Sequence, residues 1–534
     1  QLVSEELFTS VEQYNNVIDA IFESVPGAHY KEYQGCKWWL FKIQEHDRLC
    51  AKLYSLNQSE LKVHRLPPHI IKTFLKPENA SDPKPLDIDF SQMPSSLLPF
   101  QKKGIEFGIE KGGRCLIADD MGLGKTIQGI SIAYHYRNEW PLLIVTPSSL
   151  RLVWADSIEK FFPQIPSSDI NLVMNGKCGL NGLINIISYD LVTTKLDVIL
   201  KKGFKVVVLD ECHYIKQNVF RSQRSKSSCD ILSRAKRTIL LSGTPALSRP
   251  IELYNQINCI KPNFMSWMDY AYRYCAAYKD RYSINTSGFS NTKELNLFLN
   301  TFMIRRLKDE VLTELPAKRR ERITVKLDKK RLKDIKQTVE KIRQHSKVMG
   351  DGGVDNRTAM SARGSKSSMF LKLLRDTGLY KLSAINQFLK DKLTDAPPDQ
   401  KFLIFAHHKG VIEGICNMLR KIKIDKEKLD FITIVGSTQA QNRNELVNHF
   451  QSNPKCRIAV LSITAAGTGL TLTAATCVIF AELLWTPGVL FQAEDRAHRY
   501  GQTSSVLVQY LIGMGTVDES IWNLVESKKN LLGK

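Results

Sequence analysis

Three short runs carry residue types able to handle a phosphate chain. The first is Asp119-Asp120-Met121-Gly122-Leu123-Gly124-Lys125-Thr126, which follows the apolar run Cys115–Ala118 and opens a helical pattern. Glycines in such a turn let backbone N–H groups approach phosphate oxygens. A lysine at the helix start reaches the β and γ oxygens, and the following hydroxyl ligates Mg²⁺. The helix N-terminus adds a favourable dipole for an anion. The full pattern has glycine where Asp119 stands, so a glycine-rich helix start without nucleotide is the competing reading. The second run is Val206-Val207-Val208-Leu209-Asp210-Glu211-Cys212-His213, with two acids at the end of a strand-like stretch. There Asp210 would hold Mg²⁺ and Glu211 would polarise the attacking water; an acidic turn is the alternative. The third is Gln492–Gln502, with Arg496 and Arg499 three apart on an expected helix and therefore on one face. Their guanidinium groups could stabilise charge on a γ-phosphate; a solvated charged helix is the alternative. A phosphate loop followed by an acidic pair on a later strand is the ordering of an NTPase.

These residues need strands to present them. In the middle of the chain the strand candidates are Cys115–Ala118, Leu142–Thr146, Ile184–Ser188, Val206–Leu209 and Thr238–Leu241. Toward the end they are Phe402–Ala406, Phe431–Val435, Ile458–Leu461, Cys477–Phe480 and Val506–Leu511. Near-continuous Val/Ile/Leu runs alternating with helical patterns predict parallel α/β sheets buried on both faces. Two such blocks follow a small N-terminal unit. Lys76–Pro94, with four prolines, reads as an extended linker, and the Gly/Ser-rich 345–368 stretch as a mobile loop.

A length of 534 residues fits about three or four domains. With 43% hydrophobic and 24% charged residues the chain is not wholly disordered. No apolar run approaches the ~18 residues of a membrane span. Eleven cysteines, without a CxxC pair, point to reduced thiols rather than a disulfide or zinc scaffold. A net charge of +21 favours a polyanionic partner, nucleic acid before membrane. The chain opens at Gln1 and reads as a trimmed piece.

Taken together, the motifs resemble a superfamily 2 helicase-like ATPase of the Snf2 branch. Leu98-Pro99-Phe100-Gln101 resembles the adenine-reading Q segment, Asp120–Thr126 motif I, Val145–Leu150 motif Ia, Asp210–His213 motif II and Leu241–Pro245 motif III. Phe402–His407 is similar to motif IV, Ser462–Leu470 to motif V and Gln492–Gln502 to motif VI. The phrases Met303–Lys308, Leu315–Lys318 and Phe480–Gly488 are similar to the annealing-helicase, fork-remodelling group. Thr464 and Thr471 stand where many relatives have Arg and Asn. The spacing of Tyr14, Ile18, Phe22, Val25-Pro26-Gly27, Trp38 and His46–Leu49 resembles the HARP domain of that group.

The resemblance implies two RecA-like lobes with parallel sheets, preceded by a small α+β HARP-like domain. The expected division is 1–75 HARP-like, 76–94 linker, 95–320 first lobe, 321–370 interlobe segment and 371–534 second lobe. ATP and Mg²⁺ are the implied cofactors. Gln101, Asp120, Met121, Gly122, Leu123, Gly124, Lys125, Thr126 and Gln492 would bind nucleotide. Glu211, Arg496, Arg499 and Lys125 would act in hydrolysis, with Thr126 and Asp210 on the metal. Ser242 and Thr244 are candidates to relay between nucleotide and DNA. Trp38, Trp39, Phe41, Arg305 and Arg306 are candidate DNA contacts. For the aromatics the alternative is core packing, and for the basic clusters, including Lys318–Arg322, an internal brace. The implied activity is ATP-driven translocation that anneals strands and remodels stalled forks, by a nuclear monomer acting on branched, forked or junction DNA without a membrane. A single-strand-binding protein, reached through a segment outside this chain, is a further candidate partner. A nucleosome-remodelling ATPase of the same branch and a catalytically silent DNA-binding scaffold are the alternatives.

Overall fold

The computed structural model describes residues 2–3, 6–10, 16–33, 36–56, 65–75, 88–215, 222–245, 249–279, 284–312, 315–348, 356–424, 427–466 and 470–532. The chain forms two compact units, residues 1–120 with 124–306 and residues 121–123 with 307–534. Among the described residues no helix is long and apolar enough to cross a membrane.

The first unit opens with β1 (Leu2–Val3), β2 (Glu6–Ser10), α1 (Asn16–Glu23), β3 (His29–Tyr33), β4 (Cys36–Lys42) and α2 (His46–Tyr54). The strands make an antiparallel sheet in the order β1-β2-β4-β3. The aromatic and β-prone sequence of β4 suits a covered strand. Trp39 and Phe41 are 3% and 1% exposed, and their rings lie 5.7 and 5.3 Å from Phe22 of α1. Leu40, on the opposite face, is buried as well. Of the candidate DNA contacts, Trp39 and Phe41 are therefore core side chains, because α1 covers that face; the Trp38 side chain lies outside the described residues. Helix α3 (Pro68–Phe74) follows, and its His69 ring meets Phe264 and Phe298 edge-on at 5.5 and 5.0 Å. One apolar core thus runs from Ile18 through Ile70 to Phe298, joining the N-terminal sheet to the rest of the unit.

The main sheet is built by α4 (Pro99–Glu110), β5 (Arg114–Ile117), α5 (Lys125–His135), β6 (Leu142–Thr146), α6 (Arg151–Phe161), β7 (Ile170–Leu172), β8 (Ile184–Ser188), α7 (Tyr189–Thr194), α8 (Leu196–Lys202), β9 (Val206–Leu209), α9 (Gln223–Arg234) and β10 (Arg237–Leu241). Helices α10 (Tyr254–Ile260) and α11 (Trp267–Tyr274), the separate hairpin β11 (Tyr278–Lys279) with β12 (Ile284–Asn285), and α12 (Thr292–Asn300) follow, and β13 (Met303–Ile304) completes the sheet. The seven strands pair in parallel in the order β13-β5-β10-β9-β6-β8-β7. Every residue of β6, β8 and β9 is buried, as helices on both faces require.

The second unit contains α13 (Lys308–Val311), β14 (Lys318–Val325), α14 (Lys329–Val348), α15 (Asn356–Asp395), β15 (Phe402–Ala406), α16 (Lys409–Leu419), the hairpin β16 (Lys423–Ile424) and β17 (Glu427–Lys428), β18 (Asp430–Ile434), α17 (Ala440–Ser452), β19 (Cys456–Ser462), α18 (Ile463–Ala466), β20 (Cys477–Phe480), α19 (Pro487–Glu494), β21 (Val506–Gly513) and α20 (Val517–Leu532). Its six parallel strands run β14-β21-β20-β15-β19-β18. Two features differ from the sequence reading. Strand β14, KRRERITV, starts before the expected boundary at 320/321 and pairs along its whole length with β21. The expected loop at 345–368 is helical at both ends, closing α14 and opening α15, while 349–355 lie outside the described residues. Good helix formers such as Arg357, Ala359, Met360, Ala362 and Arg363 outweigh the glycine and serine content there. The two helices pack together, and Arg331 of α14 donates to the Tyr380 carbonyl of α15 at 3.0 Å.

Candidate active site

Parallel register gathers the first unit's motifs at one edge. Ile117 of β5 pairs with Leu241 of β10, Leu240 of β10 with Leu209 of β9, and Leu209 with Val145 of β6. The loops after these four strands therefore emerge side by side at the carboxyl ends, where open α/β sheets bind ligands.

The loop after β5 is a cradle for an anion. Gly122 and Gly124 adopt φ of 81° and 72°, which residues with a Cβ rarely reach, and Gly124 caps α5 directly before Lys125. The Lys125 Nζ donates to the carbonyls of Asp119 and Asp120 at 3.0 and 3.2 Å. Burial pulls this ammonium below the ordinary lysine value, opposed by Glu211, Asp119, Asp120 and Asp210. Gln101 sits against the same loop: a Cβ on Gly124 would fall 2.4 Å from its Nε2. Its Oε1 accepts from the Leu98 N–H at 3.0 Å, fixing the start of α4.

Asp119, the departure from glycine, is fully buried and committed to structure. It accepts from Arg306 Nε at 2.9 Å and from Gln128 Nε2 of α5 at 3.0 Å. Arg306 also donates to Gln128 Oε1 at 3.0 Å and to the Phe100 carbonyl. This corrects the expectation for Arg306: its fork is spent on the phosphate loop and the Q segment, leaving Arg305 alone of the pair as a DNA candidate.

At the end of β9, Asp210 takes three donors. Its Oδ2 accepts from Trp154 Nε1 at 2.8 Å and Thr146 Oγ1 at 3.2 Å, and its Oδ1 from the Glu211 N–H at 2.9 Å. The Tyr189 hydroxyl donates to the Asp210 carbonyl at 2.6 Å. Burial, then the charge of Glu211, push the Asp210 carboxyl up to about 6 against these donors and Lys125. An oxygen set of Asp210 and the Thr126 hydroxyl suits Mg²⁺, and a buried carboxyl strained by a second acid is where a divalent cation brings relief. Glu211 has φ of 49°, a left-handed backbone that costs about 1–3 kcal/mol outside glycine and clusters at functional sites. Its Oε2 lies 3.2 Å from His213 Nδ1, which is 3.2 Å from Ser242 Oγ; Ser242 Oγ also accepts the Thr244 N–H at 3.2 Å. Motifs II and III are thus joined by one polar chain. Trp154 and Tyr189 escaped the sequence reading because each looks like an ordinary core aromatic, with no spacing signal tying it to Asp210.

In the second unit, α19 ends at Glu494, so Arg496 and Arg499 lie in the turns that follow and not on a shared helical face. Side chains from elsewhere replace the next helical turn. Lys308 Nζ donates to the His498 carbonyl at 2.8 Å, and Gln502 Nε2 to the Ala497 carbonyl at 3.0 Å. Glu494, fully buried, meets Arg320 Nη2 at 2.7 Å, Lys318 at 3.1 Å and the Tyr510 hydroxyl. Burial would raise this carboxyl, but Lys318, Arg320 and Tyr510 hold it at about 2. Asp495 pairs with Lys308 at 2.8 Å and Lys318 at 3.1 Å. Lys318 and Arg320 are therefore a brace, while Arg319 is 80% exposed. Gln492 is buried on α19. Arg499 donates to Thr471 Oγ1 at 2.9 Å, and Thr464 Oγ1 lies 2.9 Å from Ser462 Oγ. The residues 467–469 of the motif V resemblance lie outside the described residues.

One further cluster, Asp430, His449 and Cys456, holds three metal-binding side-chain types within 4.8 Å. His449 Nε2 and Asp430 Oδ2 already share a hydrogen bond at 2.8 Å, and burial pushes the Cys456 thiol up to about 11, which marks a polar pair beside a core thiol.

Comparison with known proteins places this geometry. The SNF2-related domain family matches residues 38–375, and the helicase conserved C-terminal domain family residues 381–501. The chain is 38% identical to the SWI/SNF-related matrix-associated actin-dependent regulator of chromatin subfamily A-like protein 1 of Xenopus laevis, covering 100% of this chain and 54% of that protein. It is 41% identical to the DNA annealing helicase and endonuclease ZRANB3 of Bos taurus, over 87% of this chain and 43% of that one. A homolog of the first in Caenorhabditis elegans is 37% identical over 98% of this chain and 73% of its own length. The chain spans about half the length of the two vertebrate relatives. With a phosphate loop and an acidic pair on one parallel sheet and an arginine turn in the unit built on a second, the chain belongs to the SNF2-related ATPase family.

Proposed function

We propose that this chain is a DNA-dependent ATPase motor that translocates on branched DNA, annealing complementary strands and remodelling stalled replication forks. The observation that carries the ATPase part is the placing of Lys125, Thr126, Asp210 and Glu211 after the carboxyl ends of β5 and β9, the two strands that flank β10, with Gln101 against the phosphate loop. The annealing part is supported by the printed name of the ZRANB3 relative and by the sequence phrases shared with that group. The net charge of +21 favours a polyanionic track.

ATP displaces the carbonyls that Lys125 holds, so the ammonium transfers to the β and γ oxygens. Thr126 and Asp210 would hold Mg²⁺, which would supply charge neutralisation at the phosphates. Glu211 orients and polarises the attacking water, and its link through His213 to Ser242 and Thr244 makes its position sensitive to the loop after β10, the candidate relay to DNA. Arg496 and Arg499 stabilise charge on the transferring phosphoryl group. Arg305 contributes to the DNA surface. The protein acts as a nuclear monomer on forked or junction DNA, with a single-strand-binding protein recruited through a segment outside this chain.

The test is Glu211→Gln, which keeps the size and hydrogen-bonding reach of the side chain but not its charge. ATP and fork binding persist while hydrolysis falls by about 10²-fold or more, and branch migration stops. Unchanged branch migration would leave only a DNA-binding scaffold.

A further inference from the structure

The chain passes from the first unit to the second between Arg306 and Leu307. On the near side, β13 pairs in parallel with β5, and the Asp120 N–H donates to the Arg306 carbonyl at 2.9 Å. That ladder delivers the Arg306 guanidinium to Asp119, Gln128 and the Phe100 carbonyl, so one side chain fixes the phosphate loop, α5 and the Q segment. On the far side, Lys308 is buried, with its Nζ on Asp495 at 2.8 Å and on the His498 carbonyl at 2.8 Å. These two contacts bracket Arg496 and close the turn that leads to Arg499. The Glu310 carboxylate accepts the Leu307 N–H at 2.9 Å and starts α13 there. A single residue separates the two anchors, and their Cα atoms can be no more than ~7 Å apart along the chain.

We propose that Arg306 and Lys308 are paired positioning residues for ATP hydrolysis: Arg306 sets the nucleotide loop, Lys308 sets the arginine turn, and the two-residue spacing ties one to the other. The inference rests on the ATPase reading above and deepens it. Neither side chain is a catalytic residue, since each acts through the loop it holds. A planar fork is needed at Arg306, because it serves a carboxylate, an amide oxygen and a carbonyl at once, which an ammonium cannot match. At Lys308 a cation suffices for the Asp495 carboxylate and the His498 carbonyl, which need no planar fork.

The experiment uses the whole chain with forked DNA and measures affinity for a fluorescent ATP analogue, KM and kcat for ATP, and melting temperature. Arg306→Gln and Arg306→Lys should both raise the nucleotide Kd and KM by about tenfold, with kcat less affected. Lys308→Met should leave the nucleotide Kd within about twofold and lower DNA-stimulated kcat by about tenfold or more, with Lys308→Arg restoring most of it. Inserting two glycines after Leu307 keeps both anchors; it should leave nucleotide Kd and melting temperature unchanged and still lower stimulated kcat. Loss of kcat and affinity together, in step with melting temperature, would reduce both side chains to structural braces and overturn the proposal. So would full stimulated activity in the glycine insertion. A parent chain that binds ATP but hydrolyses none on any DNA would instead overturn the ATPase reading and the role of Lys308 with it, while the Arg306 variants would still be judged on affinity.

Discussion

The Asp210 carboxylate has an indole N–H, a hydroxyl and a backbone N–H on its two oxygens and still stands at about 6, because it is buried beside Glu211. In the proposed mechanism the Trp154 indole N–H helps keep this carboxylate ionised for Mg²⁺. Trp154→Phe preserves most of the packing and deletes that donor. Stability without nucleotide should fall by about 1–2 kcal/mol, and the Mg²⁺ concentration for half-maximal ATPase should rise several-fold, read from thermal melts and a Mg²⁺ titration. An unchanged Mg²⁺ requirement would make Trp154 a packing residue only. At this scale the legible residues were those whose chemistry lies in neighbouring positions of the chain: Lys125 with Thr126, and Asp210 with Glu211. Trp154, Tyr189 and the Arg306 to Asp119 pair were not legible, since their partners are 21 to 187 positions away and only strand register brings them together.

Among the elements, strands buried on both faces could be read directly, because an unbroken Val/Ile/Leu run leaves little else for Leu142–Thr146 or Val206–Leu209 to be. Strand β14 could not, because its alternating charges meet Glu494, Asp495 and solvent at a sheet edge rather than an apolar layer. Those charges make an acid-stability test. Glu494 moves from the ordinary 4.5 to about 2, so its contribution is complete above pH 4.5 and is lost as pH falls from 4.5 toward 2. Glu494→Gln should lower stability at pH 7 by about 3 kcal/mol and flatten the acid loss in that window, measured by denaturant melts across pH. An unaltered acid profile would place the loss elsewhere. Strand β4 carries another test. Trp39→Ala should cost about 3–5 kcal/mol, whereas Trp39→Phe should leave fork affinity, measured by fluorescence anisotropy, within about twofold. Weaker fork binding by Trp39→Phe at an unchanged melting temperature would return this ring to the DNA surface.

For the whole molecule, two parallel sheets each present one half of an NTPase motif set, and the N-terminal sheet shares the apolar core of the first unit. The motif order was legible because each motif is a local run; the sharing of that core was not, because it depends on Ile70, His69 and Phe298 meeting across the fold. The central claim is that this assembly converts ATP hydrolysis into work on branched DNA. Its most direct test is steady-state ATPase at one fixed salt concentration with no DNA, single strand, duplex, forked DNA and mononucleosomes. The expected result is a low basal rate stimulated most strongly by the fork. A flat, near-zero rate on every substrate, or strongest stimulation by mononucleosomes, would contradict it.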